Sequence, residues 1–393
     1  RDENNKILDY EIFDVNDKKI TDEDVKKYMG EVEFAKVLQI MTTDSEIRGR
    51  TANYNDRRVQ MATATMAKDS DRQWKYYNDL TYRKILAKNS NLIQEIQMLL
   101  ANDTDSVVKK IFASSNKNLL PEVQMMLAND NEGVRKSFAY NDNLLPEVQM
   151  LLANDEDPDV RRYFVHNKNL LPEVQILLAN DTEPDVRIYL AYNENLLPEV
   201  QMLLANDNED VRKRFAQNSN LLPEVQMLFA NDKDPEVRKS FAYNKNLLPE
   251  VQMILANDKD PEVRKNFAKN SNLLPEVQIL LANDKEPEVR KYFAHYNKNL
   301  LPEVQMLLAN DKDPEVRKEF AYNNKNLIPE VQILLANDTE PDVRIYLAYN
   351  ENLLPEVQML FANDKDPEVR NFLRYNLNLT PEARAILDSK QTY

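Results

Sequence analysis

The chain contains no cysteine among its 393 residues. That excludes disulfides, thiolate metal sites and a cysteine nucleophile. The same absence fits a reducing compartment, and a cytoplasmic location is the expectation. Glycine is nearly missing too, with only Gly30, Gly49 and Gly133, so neither a phosphate-cradling loop nor a β-rich fold with glycine turns is expected. The two histidines, His166 and His295, lie five repeats apart, too distant to act together, and no His-Glu-x-x-His sequence occurs. No apolar run approaches the roughly 18 residues of a membrane span, and no secretory leader is legible. Positive charge is also in deficit: 51 lysines and arginines face 66 acidic residues, for a net charge of −15. This balance argues against generic nucleic-acid binding and suits a basic protein partner.

What the chain has in excess is repetition. Pro-Glu-Val-Gln recurs ten times, from Pro121 through Pro172 and Pro249 to Pro355, at spacings of 25 to 27 residues. Gln94 holds the proline position in an opening unit, and Pro381-Glu382-Ala383 closes the series. Each unit reads as two short helices. Pro172 opens the first, where a missing N–H is harmless and the fixed φ suits a first turn. Val174, Leu177 and Leu178 fall on one face at helical spacing, and Asn180-Asp181 ends the helix. Pro184 opens the second, with Asp185 favourable to the dipole in its first turn. Val186 and Leu190 point inward, Asn193 to Asn195 form the return loop, and Leu170 and Leu171 plug the gap between units. Helices this short are marginal alone, so stacking has to supply the stability.

Upstream, Tyr82 to Asn89 matches the second half of a unit, and Asp44 to Asn55 matches it faintly, so degenerate units are expected back to about residue 35. Residues 1–80 are expected to form a helical N-terminal cap with those units. One helix is expected over roughly 22–41, with Thr21 and Asp24 as a partial capping box. Trp74 is read as core at the cap junction. Asp14 to Lys18 resembles a calcium loop, but Lys19 replaces its glycine and Val25 its closing glutamate, so no metal site is assigned.

The Leu-Pro-Glu-Val opening, the Asp-Pro-Glu-Val-Arg turn (Asp313 to Arg317) and the Ala-x-Asn loop together resemble the leucine-rich repeat variant family, helical repeats similar in style to HEAT repeats. The resemblance covers about residues 80–385. It implies an all-α solenoid in which helices alternate with short second helices in a right-handed superhelix without sheet. Some members carry an iron–sulfur cluster in a cysteine-rich N-terminal segment; without cysteine that cofactor does not carry over, and none is assigned. The expected architecture is thus an α-solenoid of about eleven repeats over residues 81–393, behind the N-terminal cap.

Three columns stand out across the units. Arginines recur from Arg135 to Arg370, each full-length unit having an aspartate six residues earlier, as in Asp181 and Arg187. These read as an inter-repeat ladder that holds register. The next column is basic: Arg162, Lys213, Lys239, Lys265, Lys291 and Lys318, broken by Ile188, Ile345 and Asn371. Beside it run Tyr163, Tyr189, Tyr292 and Tyr346, and three positions further on His166, Tyr192, Tyr243, Tyr322 and Tyr349. Together they form the candidate partner-binding face, expected on the concave side. Tyrosine and arginine dominate protein hot spots, so a non-enzymatic scaffold or inhibitor gripping a protein is the first reading. A nucleic-acid-binding solenoid that stacks bases and holds phosphates on this face is the alternative. The glutamine after each valine, such as Gln175, reads as a stacked amide ladder.

Overall fold

The computed structural model describes residues 12–13, 19–20, 52–53 and 80–390. Proline and asparagine set the element boundaries. In each repeat the residue before proline is extended, as at Leu171 (φ −63°, ψ 151°). Proline there restricts its neighbour to that region and itself occupies the first helical turn. Among the described residues, eleven first (A) helices are eight residues long, as in Pro172–Ala179 and Pro249–Ala256, and the last, Pro381–Ser389, has nine. An asparagine stops each of those eleven and donates its side-chain amide to the carbonyl four residues back (Asn180 to Ile176, 2.8 Å). The following aspartate then accepts the N–H two residues on (Asp258 from Asp260, 2.8 Å), and a second aspartate or an asparagine caps the next helix (Asp234 from Glu236 N–H, 2.9 Å), whereas Glu286 and Glu340 at that position make no such bond. The second (B) helices are mostly seven residues, as in Pro261–Phe267.

Repeat length decides local geometry. Units of 25 residues have a shorter turn and no proline, and Asn131 or Asn208 caps the B helix instead. Units of 27 residues lengthen the B helix to ten residues, as in Ser106–Ser115, Pro287–Tyr296 and Pro314–Asn323. Among the described residues, 12 A helices and 12 B helices alternate, 24 in all, and this is an α-solenoid. The chain divides into two compact units, Arg1–Leu190 and Ala191–Tyr393. Within each, A helices pack on A helices and B on B.

The core repeats with the chain. Val, Leu and Ala of most A helices (Val251, Leu255, Ala256) and Val, Phe and Ala of most B helices (Val263, Phe267, Ala268) are buried, with Phe229 and Phe361 in the Leu place and Leu190, Leu347 and Leu373 in the Phe place. Leu177 departs from its expected place. It is only half-buried, whereas Val174, Gln175, Leu178 and Ala179 are buried. The i, i+4 pair Val174 and Leu178 defines the inward direction, and Leu177 lies a quarter turn off it. The position after each glutamine is then left outward, so Met202, Met227 and Met253 are 38 % exposed.

Three polar ladders tie neighbouring repeats. The arginine column is one, with a different partner from the aspartate that precedes it in sequence. Arg264 donates to the carboxylate of Asp284 in the next repeat (2.6 and 2.9 Å) and takes only the backbone carbonyl of its own Asp258 (2.7 Å). The pattern holds at Arg135, Arg161, Arg238, Arg290, Arg317 and Arg344, and Lys109 stands in for arginine opposite Asp130. The second ladder is the glutamine row. Gln252 donates to Asn272 O (3.1 Å) and accepts from Leu274 N–H (3.0 Å) in the next repeat. A return-loop asparagine, buried in the described loops except at Asn193, makes the third, Asn244 reaching back to Asn218 O (2.7 Å).

The C-terminal end of the arginine ladder is expected to be acid-sensitive. Burial pushes the Asp364 carboxyl up, but the Arg344 guanidinium (2.7 Å) and the Asp366 N–H (2.8 Å) outweigh it and hold the group below the usual carboxylate range. A depressed folded-state value means the stabilisation is complete above the unfolded value of about 3.9 and is lost as pH falls through the folded value. Hydrogen-exchange protection in Pro355–Ala362, taken relative to the intrinsic rate at each pH, should therefore fall below about pH 4, and Asp364→Asn should flatten that dependence; an unchanged profile in the variant would remove Asp364 as its source.

Three two-residue strands, β1 (Ile12–Phe13), β2 (Lys19–Ile20) and β3 (Ala52–Asn53), form a small sheet in the order β2-β1-β3. β1 pairs antiparallel to β2 and parallel to β3. Sheet was not expected in this chain, and Ala52–Asn53 is strand where a degenerate return loop was read. The helix expected over 22–41, the loop at 14–18 and Trp74 lie outside the described residues.

Candidate protein-binding face

The basic and aromatic columns emerge on the B helices because their inward positions are taken by Val, Phe and Ala. In the first unit, Arg162 lies over the rings of Tyr163 (5.8 Å) and Tyr189 (5.5 Å) and pairs with Asp159 (2.9 Å). Tyr140 packs on Tyr163 at 5.5 Å. His166 sets its ring against Tyr189 at 5.8 Å, and desolvation holds its imidazole below its ordinary value.

In the second unit the lysine column is not a row of free cations. Lys265, Lys291 and Lys318 bind Glu262, Glu288 and Glu315 three residues earlier on the same helix (2.6, 2.7 and 2.5 Å), and Lys239 binds Glu236 likewise. Those carboxylates push Lys239, Lys291 and Lys318 above the ordinary lysine value. Lys213 is half-exposed in the same row.

The tyrosines divide by column. Tyr292 and Tyr346 are half-buried, whereas Tyr192, Tyr243, Tyr322 and Tyr349 are 44 to 53 % exposed. Arg214 covers Tyr192 at 4.2 Å. Tyr243 donates its hydroxyl to Asn266 (2.6 Å) and accepts from Lys269 (3.2 Å), whose ammonium also lies 5.0 Å from the Tyr292 ring. Tyr322 touches Tyr346 (5.2 Å) and Tyr349 (6.4 Å); Tyr349 touches Phe372 (4.8 Å), and Phe372 touches Tyr375 (6.4 Å). The structure thus gathers the predicted residues into short aromatic–cation clusters and one continuous aromatic band.

Several participants were not among the predicted residues. Arg214, Lys269 and Phe372 belong to the same columns as exceptions to the commonest residue, and Tyr375 continues its tyrosine column into the last repeat. Tyr296 exists only because its unit has an extra residue. A cavity of about 210 Å³ is lined by Lys291, Tyr292, His295, Tyr296 and Glu319, with His295 Nδ1 and Glu319 Oε2 2.8 Å apart. Among the described residues no cluster of three or more acidic or histidine side chains could hold a metal ion, and no helix is long and apolar enough to cross a membrane.

No family model matches the chain, and no curated protein matches it. Among solved structures it is similar to one described as a leucine-rich repeat variant with a novel repetitive protein structural motif. The two share 24 % identity over 57 % of this chain and 88 % of that one, with a TM-score of 0.42.

Proposed function

We propose that this protein is a non-enzymatic scaffold that binds another protein through the tyrosine-bearing face of its B helices. The observation that carries the reading is the contrast between the two columns of that face: the lysines are spent on glutamates of their own helices, while tyrosines remain open. Tyrosine offers a large, rigid contact with a polar tip and loses little side-chain entropy on binding. A phosphate backbone would find few uncommitted cations here, and a net charge of −15 around them. Nucleic acid is therefore the second reading.

The test is capture of partners from the native host with and without nuclease, using the wild-type chain, Tyr322→Ala/Tyr349→Ala, and Lys239→Glu/Lys265→Glu/Lys291→Glu. A stoichiometric protein that resists nuclease and is lost from the tyrosine variant is the expected result. Recovery of nucleic acid that the charge reversals abolish would reject the reading in favour of the alternative.

A further inference from the structure

The lysine column fails at two consecutive repeats, where Ile345 and Asn371 replace it. These are the repeats in which the aromatic rings join into one band, Tyr322–Tyr346–Tyr349–Phe372–Tyr375. The coincidence has an electrostatic consequence. From Lys239 to Lys318 the column's lysines bind the acid in the first turn of their own helix. Asp342 and Glu368 hold that same first-turn position, but three residues on they meet Ile345 and Asn371. Both acids are exposed, and neither has an ion-pair partner within 4.0 Å among the described residues. Lys318, the nearest lysine of the column, contacts Glu315 and the Tyr346 ring (5.9 Å) and reaches Asp342 only through its electrostatic field, without an ion pair. Positions i and i+4 share a helix face, so Asp342 lies along the face of Tyr346, with Tyr349 at the helix C-cap, and Glu368 along that of Phe372, with Tyr375 just past the helix end.

We infer that this band docks a proline-rich segment that carries arginine or lysine, held as a polyproline II helix. The inference rests on the protein-binding reading above and names the chemistry of the partner. Three features converge on this ligand. Exposed rings mark successive repeats: Tyr322 is 53 % exposed, Tyr349 45 % and Tyr375 73 %. The rings of Tyr322 and Tyr349, from consecutive repeats, meet edge to face at 6.4 Å and continue through Phe372 to Tyr375, so they form one aromatic strip, along which a polyproline II helix can lay the edge on which prolines recur every three residues, about 9 Å. Aromatic-lined grooves take such segments because the ligand is already ordered and little entropy is lost. The two unpaired carboxylates supply the charge complement, favouring a cationic residue beside the prolines and repelling an acidic or phosphorylated chain.

The experiment is fluorescence anisotropy of a labelled synthetic peptide of about twelve residues, four polyproline II turns, with proline at every third position and two arginines, titrated with the full chain. Two control peptides carry the same composition with the proline spacing scrambled, or glutamate in place of arginine. The wild-type chain should bind the first peptide at least about tenfold more tightly than either control, and Tyr349→Ala should remove about that factor, the scale of a hot-spot residue. Glu368→Lys should weaken the arginine peptide and favour the glutamate one, with circular dichroism confirming that both variants fold. Equal binding of the scrambled peptide overturns the polyproline reading, and an unchanged affinity in Tyr349→Ala or Glu368→Lys overturns the site. If no peptide binds while Tyr322→Ala/Tyr349→Ala still loses its captured partner, this inference fails and the broader scaffold reading stands.

Discussion

Arg264→Ala is expected to lower the stability of its unit by about 3–5 kcal/mol, the range for breaking a buried ion pair from one side. Arg264 and Asp284 are each only 5 % exposed in their side chains, and the guanidinium also holds the Asp258 carbonyl at 2.7 Å. Removing it strands a buried carboxylate and a buried carbonyl together. Replacing both partners, as in Arg264→Met/Asp284→Leu, should be much milder, because no charge is left without its partner. The damage should not stay local. In a repeat array stability is a sum of unit terms and nearest-neighbour couplings, and this pair is a coupling. Urea unfolding followed by circular dichroism should therefore show an earlier and broader transition, with repeats on the two sides of the break melting separately. At the end of the ladder, Arg370→Ala should cost about 1 kcal/mol, the worth of an ordinary hydrogen bond, since its nearest contact is the Asp364 carbonyl at 2.6 Å. Equal effects at Arg264 and Arg370 would show that the ladder does not couple the repeats.

The comparison of these two arginines also shows how far the sequence could be read. The repeat, its two helices and the structural role of the arginine column were legible, because proline, asparagine and the Val-x-x-x-Leu spacing each impose a local geometry. The partner of each arginine was not. Asp258 is six residues away and Asp284 twenty, and periodicity alone does not say which repeat's aspartate faces which arginine. That register is a property of stacking. Leu177 was misplaced for a related reason: helical spacing admits it to the same stripe as Val174, and only packing decides where the stripe ends. The lysines were read as a basic groove, although Glu262 precedes Lys265 by three residues and their pairing follows from helix geometry. The column was read down the array and not along each helix. What no pattern of columns could show is that the rings of Tyr349 and Phe372, from neighbouring units, come within 4.8 Å. The three short strands left no periodic signal at all, each being two residues long.

The asparagine ladder allows a sharper test of stacking, because one substitution changes its chemistry without changing its shape. Asn244 is 8 % exposed. Its amide donates to Asn218 O (2.7 Å), its side-chain oxygen accepts Asn246 N–H (3.0 Å), and its own carbonyl accepts from Asn270 (2.6 Å). In Asn244→Asp the bond from Asn246 survives, but a carboxylate oxygen now faces the Asn218 carbonyl. Burial and that carbonyl both disfavour the ionised form, so the new group's folded-state pKa is raised above its unfolded value of about 3.9. A raised value gives stability that is present below the unfolded pKa and is lost as pH rises through the folded one. A shift of about three units, within the range for buried carboxyls, corresponds to about 4 kcal/mol. The variant should thus lie close to wild type near pH 4, where a protonated carboxyl can donate to Asn218 O as the amide does, and fall behind it steadily towards neutrality. This trend is opposite in sign to that of Asp364, whose ion pair weakens as pH falls. Measuring urea midpoints of Asn244→Asp and wild type across pH 4 to 8 separates the two behaviours. A deficit that is the same at every pH would mean that the asparagine fills space in the loop and its hydrogen bond does not join the repeats.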